Sequence, residues 1–301
     1  MPTPRADLPV AVGVDRSTEA LQAARYALRE AQSRHCGLLL VHANAVPIQN
    51  AYFTADDVDV MRDDGEAVLE EVVTVLGEEH GPAVPITTLM RQGPASTLLA
   101  DLSSDAQCIV VGRRDTGWGE RLLTDSVSSR VSAKSECAVV TVPRGWKGSE
   151  ATVGPVVVAL DGKSPAHASL LYAFQAADRR QADLVVLHAA PTWETKHAVA
   201  EHDIDVAEVL AGWRSEYPDV AVSTSTVQAT ATTACEDASR DAVLLVLGRS
   251  SDRNLLPWTR SVARAVLKNA RCPVVTVPLH DAVRRREPAA RASQSFIIPT
   301  Y

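Results

Sequence analysis

The stretches VAVGVDRSTEALQAARYAL (residues 10–28) and VVVALDGKSPAHASLLYAF (residues 156–174) repeat one pattern within a single chain. Each begins with an apolar run, passes through a short polar loop and continues with apolar residues at helical spacing. The apolar run predicts a strand that is buried on both faces, which is typical of parallel sheets. A strand followed by a helix is therefore predicted at two places in the sequence.

The repetition extends to the second and the last strand of each copy. CGLLLVHA at 36–43 corresponds to ADLVVLHA at 182–189, and ECAVVTVP at 136–143 corresponds to RCPVVTVP at 271–278. Strands that alternate with helices indicate a parallel sheet with right-handed crossovers, so each copy is predicted to be a doubly wound α/β domain. We place the two domains and a C-terminal tail at 1–145, 152–280 and 281–301.

The connection and the tail differ from the two copies in composition. RGWKGSEAT at 144–152 is short and polar, which favours two domains that pack together. The tail has three consecutive arginines at 284–286 and ends in FIIPTY at 296–301. We expect this tail to be flexible, and the alternative is a tail that docks on its own domain or on a partner.

Composition and charge exclude several classes of protein. The 301 residues carry a formal net charge of -7, which disfavours nucleic-acid binding because that binding depends on clustered Lys and Arg. No run approaches the roughly 20 apolar residues that span a bilayer, and no signal peptide is visible, so we expect a cytoplasmic protein without a membrane partner. Five cysteines without a CxxC pair indicate neither a disulfide framework nor a zinc site.

Several motifs together resemble those of tandem universal stress proteins. They are GVDRS after the first strand, LVHA in the second, RQGPASTLL at 91–99, and the segment from VVGRRD to SVSSRVSAKSECAVVTVP. The second copy has similar elements. The resemblance implies a pseudo-twofold tandem repeat of five-stranded, Rossmann-like domains of the adenine nucleotide alpha hydrolase-like kind, and a role in stress or dormancy. One branch of this family binds ATP, and other members do not.

The phosphate loop of the nucleotide-binding branch resembles a glycine, two residues, a second glycine, nine residues, and a third glycine followed by Ser or Thr. In the first copy Gly112 and Ser126 fit the ends of this pattern, but Asp115 and Asp125 occupy the other two glycine positions. Glycine admits positive φ and lets backbone N–H groups approach phosphates, which a side chain hinders. The first loop therefore departs from the family pattern at both positions.

The aspartates of the first loop oppose an anionic ligand. Asp125 precedes a predicted helix, where its carboxylate can accept the free N–H groups that would otherwise bind phosphate. A like-charge pair near 4 Å costs about 4 kcal/mol at an effective dielectric of 20, whereas one charge-assisted hydrogen bond contributes roughly 1.5 to 3 kcal/mol. Arg113 and Arg114 can offset the aspartates or bind an anion themselves. On balance the first loop is expected to be degenerate.

The second copy departs from the same pattern in a different way. Gly248 and Ser261 match it, while Ser251 and Arg260 replace the two glycines and the loop is one residue shorter. Arg249 and Arg260 make this region locally positive, which suits phosphate. If ATP binds, with Mg²⁺, we expect it mainly in the second domain.

The family alignment supplies the remaining candidate binding residues. It implies that Asp15 and Asp161 lie near the adenine or the ribose, and that Ala43 and Ala189 contribute backbone at the base pocket. The candidate nucleotide-binding residues, with the better set of the second domain first, are Asp161, Ala189, Gly248, Arg249, Arg260, Ser261, Asp15, Ala43, Gly112, Arg113, Arg114 and Ser126.

No catalytic arrangement accompanies these residues. His42 and His188 end matching strands, and we interpret them as structural because no nucleophile is adjacent. His197 and His202 are five residues apart, which places them poorly on one helix face for a metal. The loops DRSTE and DGKSP lack the Ser-Gly-Gly and paired-histidine patterns of nucleotide-processing enzymes. We expect a non-enzymatic stress or dormancy module, and the alternative is an ATP-binding stress switch that uses mainly the second domain.

The resemblance also bears on association. It suggests that the last strands, AVVTVP and PVVTVP, pair edge to edge. Because exposed apolar edges associate unless they are covered, the two copies are predicted to form an internal pseudo-dimer, and a homodimer is then optional.

Overall fold

The computed structural model describes residues 7–44, 55–80, 84–113, 127–148, 153–160, 166–190, 210–249, 258–278 and 298–299. The chain divides into two compact units. Met1–Gly145 and Ala282–Tyr301 form unit 1, and Trp146–Asp281 forms unit 2. Both units are built on a sheet whose long strands run parallel.

The strands alternate along the chain with helices, as the sequence predicts. Within the described ranges the strands are β1 (Val10–Gly13), β2 (Leu38–Asn44), β3 (Ile86–Gln92), β4 (Cys108–Gly112), β5 (Ala138–Val142), β6 (Val156–Leu160), β7 (Leu184–Ala190), β8 (Val222–Gln228), β9 (Leu244–Gly248), β10 (Val274–Val277) and β11 (Ile298–Pro299).

The helices follow the strands at regular intervals. In the same ranges they are α1 (Thr18–Ser33), α2 (Ala55–His80), α3 (Ala95–Asp101), α4 (Val127–Lys134), α5 (His167–Arg180), α6 (210–216), α7 (Ala231–Ala238) and α8 (Trp258–Asn269). None of these described helices has both the length and the apolar content that crossing a bilayer requires.

The order of the strands reverses at the first strand of each copy. The sheet of unit 1 runs β3-β2-β1-β4-β5 with parallel neighbours, and β11 adds to β3 in the antiparallel direction. The sheet of unit 2 runs β10-β9-β6-β7-β8, again with parallel neighbours. Two five-stranded doubly wound sheets in one chain confirm the predicted fold class.

The central strands are the most buried part of each unit. Val10, Ala11 and Val12 of β1 have no exposed surface, and the same holds for Leu244 and Leu245 of β9. Burial on both faces explains why these strands read as continuous apolar runs rather than as alternating patterns. The outer strand β8 differs, because most of its residues are exposed and polar.

The first helix shows how a short polar loop starts each crossover. Ser17 caps α1, and its side-chain oxygen accepts the N–H of Ala20 at 3.2 Å. Small alanines such as Ala23, Ala24 and Ala27 have no exposed surface and form the face that packs on the sheet. Helix capping and an alanine-rich face together place the helix close to the strands.

Both copies turn out of their first helix through a residue in the left-handed region. His35 follows α1 with φ of 53°, and Gln181 follows α5 with φ of 50°. The N–H of Gln181 donates to the carbonyl of Asp178 at 3.0 Å. Glycine is the usual residue at such helix ends, so both positions carry a side chain at a conformational cost.

We expect Gln181→Gly to stabilise unit 2. The left-handed conformation costs an L-residue roughly 1–2 kcal/mol, and the extra chain entropy of glycine offsets part of the gain, which leaves about 0.5–1 kcal/mol. Gln181→Ala is the matched control, because alanine keeps the Cβ that causes the cost. Urea denaturation followed by circular dichroism measures both variants, and equal stabilities would contradict the assignment.

The five cysteines are buried and form no disulfide bond. Burial raises the pKa of the Cys235 thiol and of the Cys272 thiol to about 12. The thiolate is the reactive form of cysteine, so these groups are unreactive near neutral pH.

The folded protein should therefore react negligibly with Ellman's reagent at pH 8. After unfolding in guanidinium chloride the same reagent should titrate all five thiols, since they are then no longer buried and the reagent can reach them. Absorbance of the released thionitrobenzoate gives the number of thiols, and a thiol that reacts within seconds in the folded chain would contradict the described packing.

Candidate functional site

The candidate sites lie where the sheet order reverses. In unit 1, β1 and β4 are neighbours, and in unit 2, β6 and β9 are neighbours. The crossovers that follow these strands leave in opposite directions, which opens a crevice beyond their carboxyl ends. Asp15 follows β1, and Gly112 and Gly248 end β4 and β9.

The side chain of Asp15 is built into the loop between β1 and α1. Its Oδ1 accepts the backbone N–H of Ser17 at 2.8 Å and also the Ser17 hydroxyl. The Ser17 oxygen in turn accepts the N–H of Ala20. Aspartate commonly closes such a turn with its own backbone two residues ahead. One carboxylate oxygen of Asp15 is therefore engaged in starting the helix.

Gly112 lies directly against the start of α1. A Cβ built on it would overlap the carbonyl oxygen of Glu19 and lie 2.7 Å from the carbonyl carbon of Glu19. The N–H of Ala20 would be 3.2 Å away. Because these atoms belong to backbone, they cannot move aside as a flexible side chain can. The glycine is thus required by the close approach of helix and strand.

Gly248 occupies the matching position of unit 2 with much more space. The nearest atoms to a Cβ there are the Oγ of Ser169 at 3.5 Å and its Cβ at 3.8 Å. These are ordinary van der Waals distances, so the end of β9 is not pressed against α5. The helix–strand approach at this point is therefore looser in unit 2 than in unit 1.

The residues that follow β4 and β9 make equivalent backbone hydrogen bonds, each within its own unit. The N–H of Arg113 donates to the carbonyl of Val142 at 2.8 Å, and the N–H of Arg249 donates to the carbonyl of Val277 at 2.7 Å. Each bond ties the start of the candidate phosphate loop to the neighbouring strand. The loop origin is therefore fixed in the same way in both units.

His42, on the neighbouring strand β2, holds the loop between β1 and α1. Its Nδ1 lies 2.9 Å from the carbonyl of Val14, the residue before Asp15. Its Nε2 lies 2.9 Å from Oδ1 of Asn44, whose Nδ2 donates to the carbonyl of Met61 in α2 at 2.9 Å. The ring therefore links β1, β2 and α2, which agrees with the structural role that the sequence analysis favours.

His188 makes the corresponding contact in unit 2. Its Nδ1 lies 3.3 Å from the carbonyl of Leu160, the residue before Asp161. The residue two positions later is Ala190, whereas unit 1 has Asn44 there. The histidine contact is thus common to both copies, and the amide extension to α2 belongs to unit 1.

The universal stress protein family matches the chain twice, at residues 9–143 and 152–278. The chain belongs to the universal stress protein family. A universal stress protein of Mycobacterium tuberculosis strain H37Rv is 32% identical over 295 residues, which cover 91% of this chain and 98% of that protein. A relative from Mycolicibacterium smegmatis is 30% identical over 289 residues, covering 89% of this chain and 96% of that protein.

A solved universal stress protein supports the fold. The protein from Archaeoglobus fulgidus has a TM-score of 0.72 at 17% identity, and the match covers 91% of this chain and 97% of that one. An alignment of this length includes both units. At such low identity the likeness shows the fold alone.

The remaining candidate residues of this universal stress protein are distributed as follows. Ala43 and Ala189 lie near the carboxyl ends of β2 and β7 and are half-buried. Arg260 and Ser261 belong to α8, and their side chains lie outside the described part. Several positions named in the sequence analysis are not among the described residues, namely Arg114, Asp115, Asp125, Ser126, Asp161, His197, His202 and Ser251.

Three residues near the crevice of unit 1 were missed by the sequence analysis: Glu19, Asn44 and Gly65. A Cβ on Gly65 would lie 2.5 Å from the Met90 sulfur and 3.0 Å from Oδ1 of Asn44, so this glycine lets α2 approach the sheet. A glycine within a helical pattern indicates such an approach. Asn44 was detectable as the difference between HAN in one copy and HAA in the other.

We expect Gly112→Ala to destabilise unit 1 by roughly 3 kcal/mol, because its methyl group would overlap backbone atoms of α1. Gly248→Ala is the matched control and should change the stability of unit 2 by no more than about 0.5 kcal/mol. Urea denaturation with one transition fitted for each unit measures both, since two domains need not unfold together. Equal losses of unfolding free energy for the two alanine variants would contradict the difference in packing between Gly112 and Gly248.

Proposed function

We propose that this universal stress protein is a non-enzymatic stress-response protein whose crevice in unit 1 is closed to nucleotides. The observation that carries the proposal is the contact between Gly112 and the backbone of Glu19. In a nucleotide-binding loop such a glycine leaves space for the ligand's close approach. In unit 1 the space beside it is filled by the start of α1.

Two further observations support a closed crevice. The carboxylate of Asp15, which the family alignment assigns to the nucleoside, already accepts two hydrogen bonds from Ser17 at one of its oxygens. The sequence adds Asp115 and Asp125 where the binding pattern has glycines. Carboxylates near a phosphate raise its free energy of binding by Coulombic repulsion. Geometry and charge therefore both oppose a bound phosphate in unit 1.

The arrangement around His42 supports a non-enzymatic function. Its two ring nitrogens contact the Val14 carbonyl and the Asn44 side chain. A general base must reach the proton of a nucleophile or a substrate, and this ring is instead held against the protein's own backbone and amide. The free, buried thiols also favour a reducing compartment such as the cytoplasm.

An adenine nucleotide bound in unit 2 is the second candidate function. The looser packing beside Gly248 supports it, because a Cβ there would meet only ordinary van der Waals contacts with Ser169 of α5, so the end of β9 is not pressed against helix backbone as the end of β4 is. Asp161, Arg249, Arg260 and Ser261 are the residues that would hold the nucleotide, and Mg²⁺ would accompany its phosphates. The arginines match the charge and the planar geometry of phosphate oxygens.

Titration calorimetry of nucleotide-stripped protein with Mg-ATP tests both candidates. We expect no binding that depends on unit 1, so Ser126→Ala should leave the wild-type isotherm unchanged. A single site that disappears with Ser261→Ala and survives Ser126→Ala would support the nucleotide-responsive function of unit 2.

The aspartates can be tested in the same experiment. If their charge closes the first loop, Asp115→Gly/Asp125→Gly should gain a site, and adding Ser126→Ala should remove that site again. A wild-type site that is lost with Ser126→Ala would contradict the closed crevice. The pairing of the two terminal strands within one chain stays a prediction, which a soluble, monomeric first domain expressed alone would contradict.

A further inference from the structure

The hydrogen bonds of His42 determine how many protons its ring carries. Its Nδ1 lies 2.9 Å from the carbonyl oxygen of Val14, and its Nε2 lies 2.9 Å from Oδ1 of Asn44. A carbonyl oxygen can only accept a hydrogen bond, so Nδ1 must donate to Val14. What Nε2 must do depends on the orientation of the Asn44 amide, whose oxygen and nitrogen have nearly the same shape.

A carbonyl of α2 fixes the orientation of the Asn44 amide. Nδ2 of Asn44 donates to the carbonyl oxygen of Met61 at 2.9 Å and lies 3.5 Å from the Met90 sulfur. If the amide were turned over, its oxygen would face the Met61 carbonyl oxygen, and two acceptors would meet at hydrogen-bond distance. The thioether sulfur is a weak acceptor and also favours the amide nitrogen on that side. Oδ1 is therefore directed at His42.

Both nitrogens of the His42 ring consequently face oxygen atoms that accept. A neutral imidazole has one N–H and one lone pair, so it can satisfy either Val14 or Asn44 but not both. The other contact would bring two lone pairs together at 2.9 Å. The imidazolium ion has two N–H groups and satisfies both oxygens. His42 thus has the hydrogen-bond environment of a protonated ring.

The packing of α2 keeps the ring and the amide in this arrangement. A Cβ built on Gly65 would lie 3.0 Å from Cδ2 of His42, 3.0 Å from Oδ1 of Asn44 and 2.5 Å from the Met90 sulfur. The helix backbone therefore lies directly over these three side chains. A ring that turned over in place would direct its carbon atoms at the two oxygens and lose both hydrogen bonds.

The charged residues of α2 near Gly65 do not supply a positive charge that would oppose a protonated ring. Arg62 lies 3.0 Å from Oδ1 of Asp59 and 3.7 Å from Oδ1 of Asp63, and all three side chains are more than half exposed. Glu66 follows Gly65 by one position, which turns it about 100° around the helix axis. These residues are either paired in solvent or negative.

The charged residues on the other neighbouring elements likewise permit a positive ring. Nη1 of Arg16, in the loop after β1, lies 2.6 Å from Oδ1 of Asp64 in α2, so these two charges offset each other. Arg91 of β3 leaves the strand on the face opposite to α2, because side chains alternate along a strand and Met90 faces α2. The carboxylate of Asp15 is negative, and a negative charge favours the protonated form of histidine.

Unit 2 lacks the acceptor that creates this requirement. Nδ1 of His188 lies 3.3 Å from the carbonyl of Leu160, but Ala190 stands where unit 1 has Asn44. The His188 ring therefore meets no amide oxygen from that position, and a neutral ring with its proton on Nδ1 satisfies the Leu160 contact. The requirement for a second ring proton comes from Asn44 and belongs to unit 1.

We propose that His42 is held as an imidazolium ion and forms a pH-sensitive link between α2 and the loop that carries Asp15. When the ring loses a proton, one of its two hydrogen bonds becomes a repulsion between lone pairs. Because folded unit 1 favours the protonated ring and the unfolded chain does not, the link stabilises unit 1 at low pH, and this stabilisation is lost as the pH rises. The link acts without a ligand in the crevice.

Magnetic resonance spectra of the ring nitrogens, recorded on the full chain with isotopically labelled histidine, measure the protonation directly. We expect His42 to be mostly protonated at pH 7.5, where a solvated imidazole is mostly neutral. His35 is exposed and is the reference for a solvated ring in the same spectra. The signal that His42→Gln removes identifies His42. A His42 ring that loses its proton together with the His35 ring would overturn the proposal.

Asn44→Ala places in unit 1 the residue that unit 2 has. It removes the acceptor at Nε2, so a neutral ring keeps the hydrogen bond to Val14. The wild type should be more resistant to urea than Asn44→Ala at pH 6, and the difference between the midpoints of unit 1 should narrow towards pH 9. The lost hydrogen bond to Met61 does not depend on pH and leaves this comparison unaffected.

The ring signals of His42 and His188 report the unfolding of the two units separately, so the midpoint of each unit can be assigned. His188→Gln is the matched control in unit 2 and should leave the pH dependence of unit 1 as in the wild type. The same difference between wild type and Asn44→Ala at every pH would overturn the proposal.

Asn44→Asp tests the assignment of Nε2 as a donor. The carboxylate keeps an acceptor at this position and adds a negative charge, so the His42 ring should stay protonated to a higher pH than in the wild type. Circular dichroism shows whether the variant is folded. A folded Asn44→Asp chain in which His42 loses its proton at the same pH as in the wild type, or at a lower one, would overturn the proposal.

Discussion

The approach of α1 to the end of β4 is the constraint on which the crevice of unit 1 depends. Gly112 has no Cβ, so the backbone of Glu19 can lie where a side chain would otherwise be. This contact places Ser17 and Asp15 at the switch point, where they close the turn into the helix. A glycine that a ligand-binding loop would use for a phosphate serves helix packing here. The position matches the first glycine of the phosphate-loop pattern, and in the structure it accommodates the backbone of α1.

Comparison of the two copies separates the contacts that both units make from those that one unit makes. Both copies place a histidine against the carbonyl before the loop aspartate, and both leave the first helix through a left-handed residue. These features lie at strand and helix ends, where the chain changes direction. Among the described residues, Asn44 and the tight Gly112 contact occur in unit 1 alone. Unit 2 has Ala190 at the position of Asn44, and its Gly248 is packed more loosely, at ordinary van der Waals distances from Ser169. Such differences mark the places where the two crevices were free to diverge.

The sequence predicts the parallel strands well because burial on both faces leaves continuous apolar runs such as those of β1 and β4. It also predicts the cap of α1, since Ser17 is a local feature. The polar strand β8 has no such run, and its β-branched Val and Thr residues are the strand signal that VSTSTVQ carries. The contact of Gly112 with Glu19 joins residues far apart in sequence, and a pattern read along the chain contains no distance between them. For the same reason the pairing of Ile298 with Thr88 follows from the structure and not from the composition of the tail.

The outer edges of the two sheets, formed by β3 and β8, occupy equivalent places but have different neighbours. β3 has a tail strand beside it, while β8 has the same outward pattern of backbone groups and small hydroxyl side chains at its register positions. At β8 the outward carbonyl of Val222 already accepts the Nη2–H of Arg214 at 3.3 Å, so the two edges do not offer the same acceptors. The two edges also differ because each chain has a single C-terminal segment, and that segment pairs with β3.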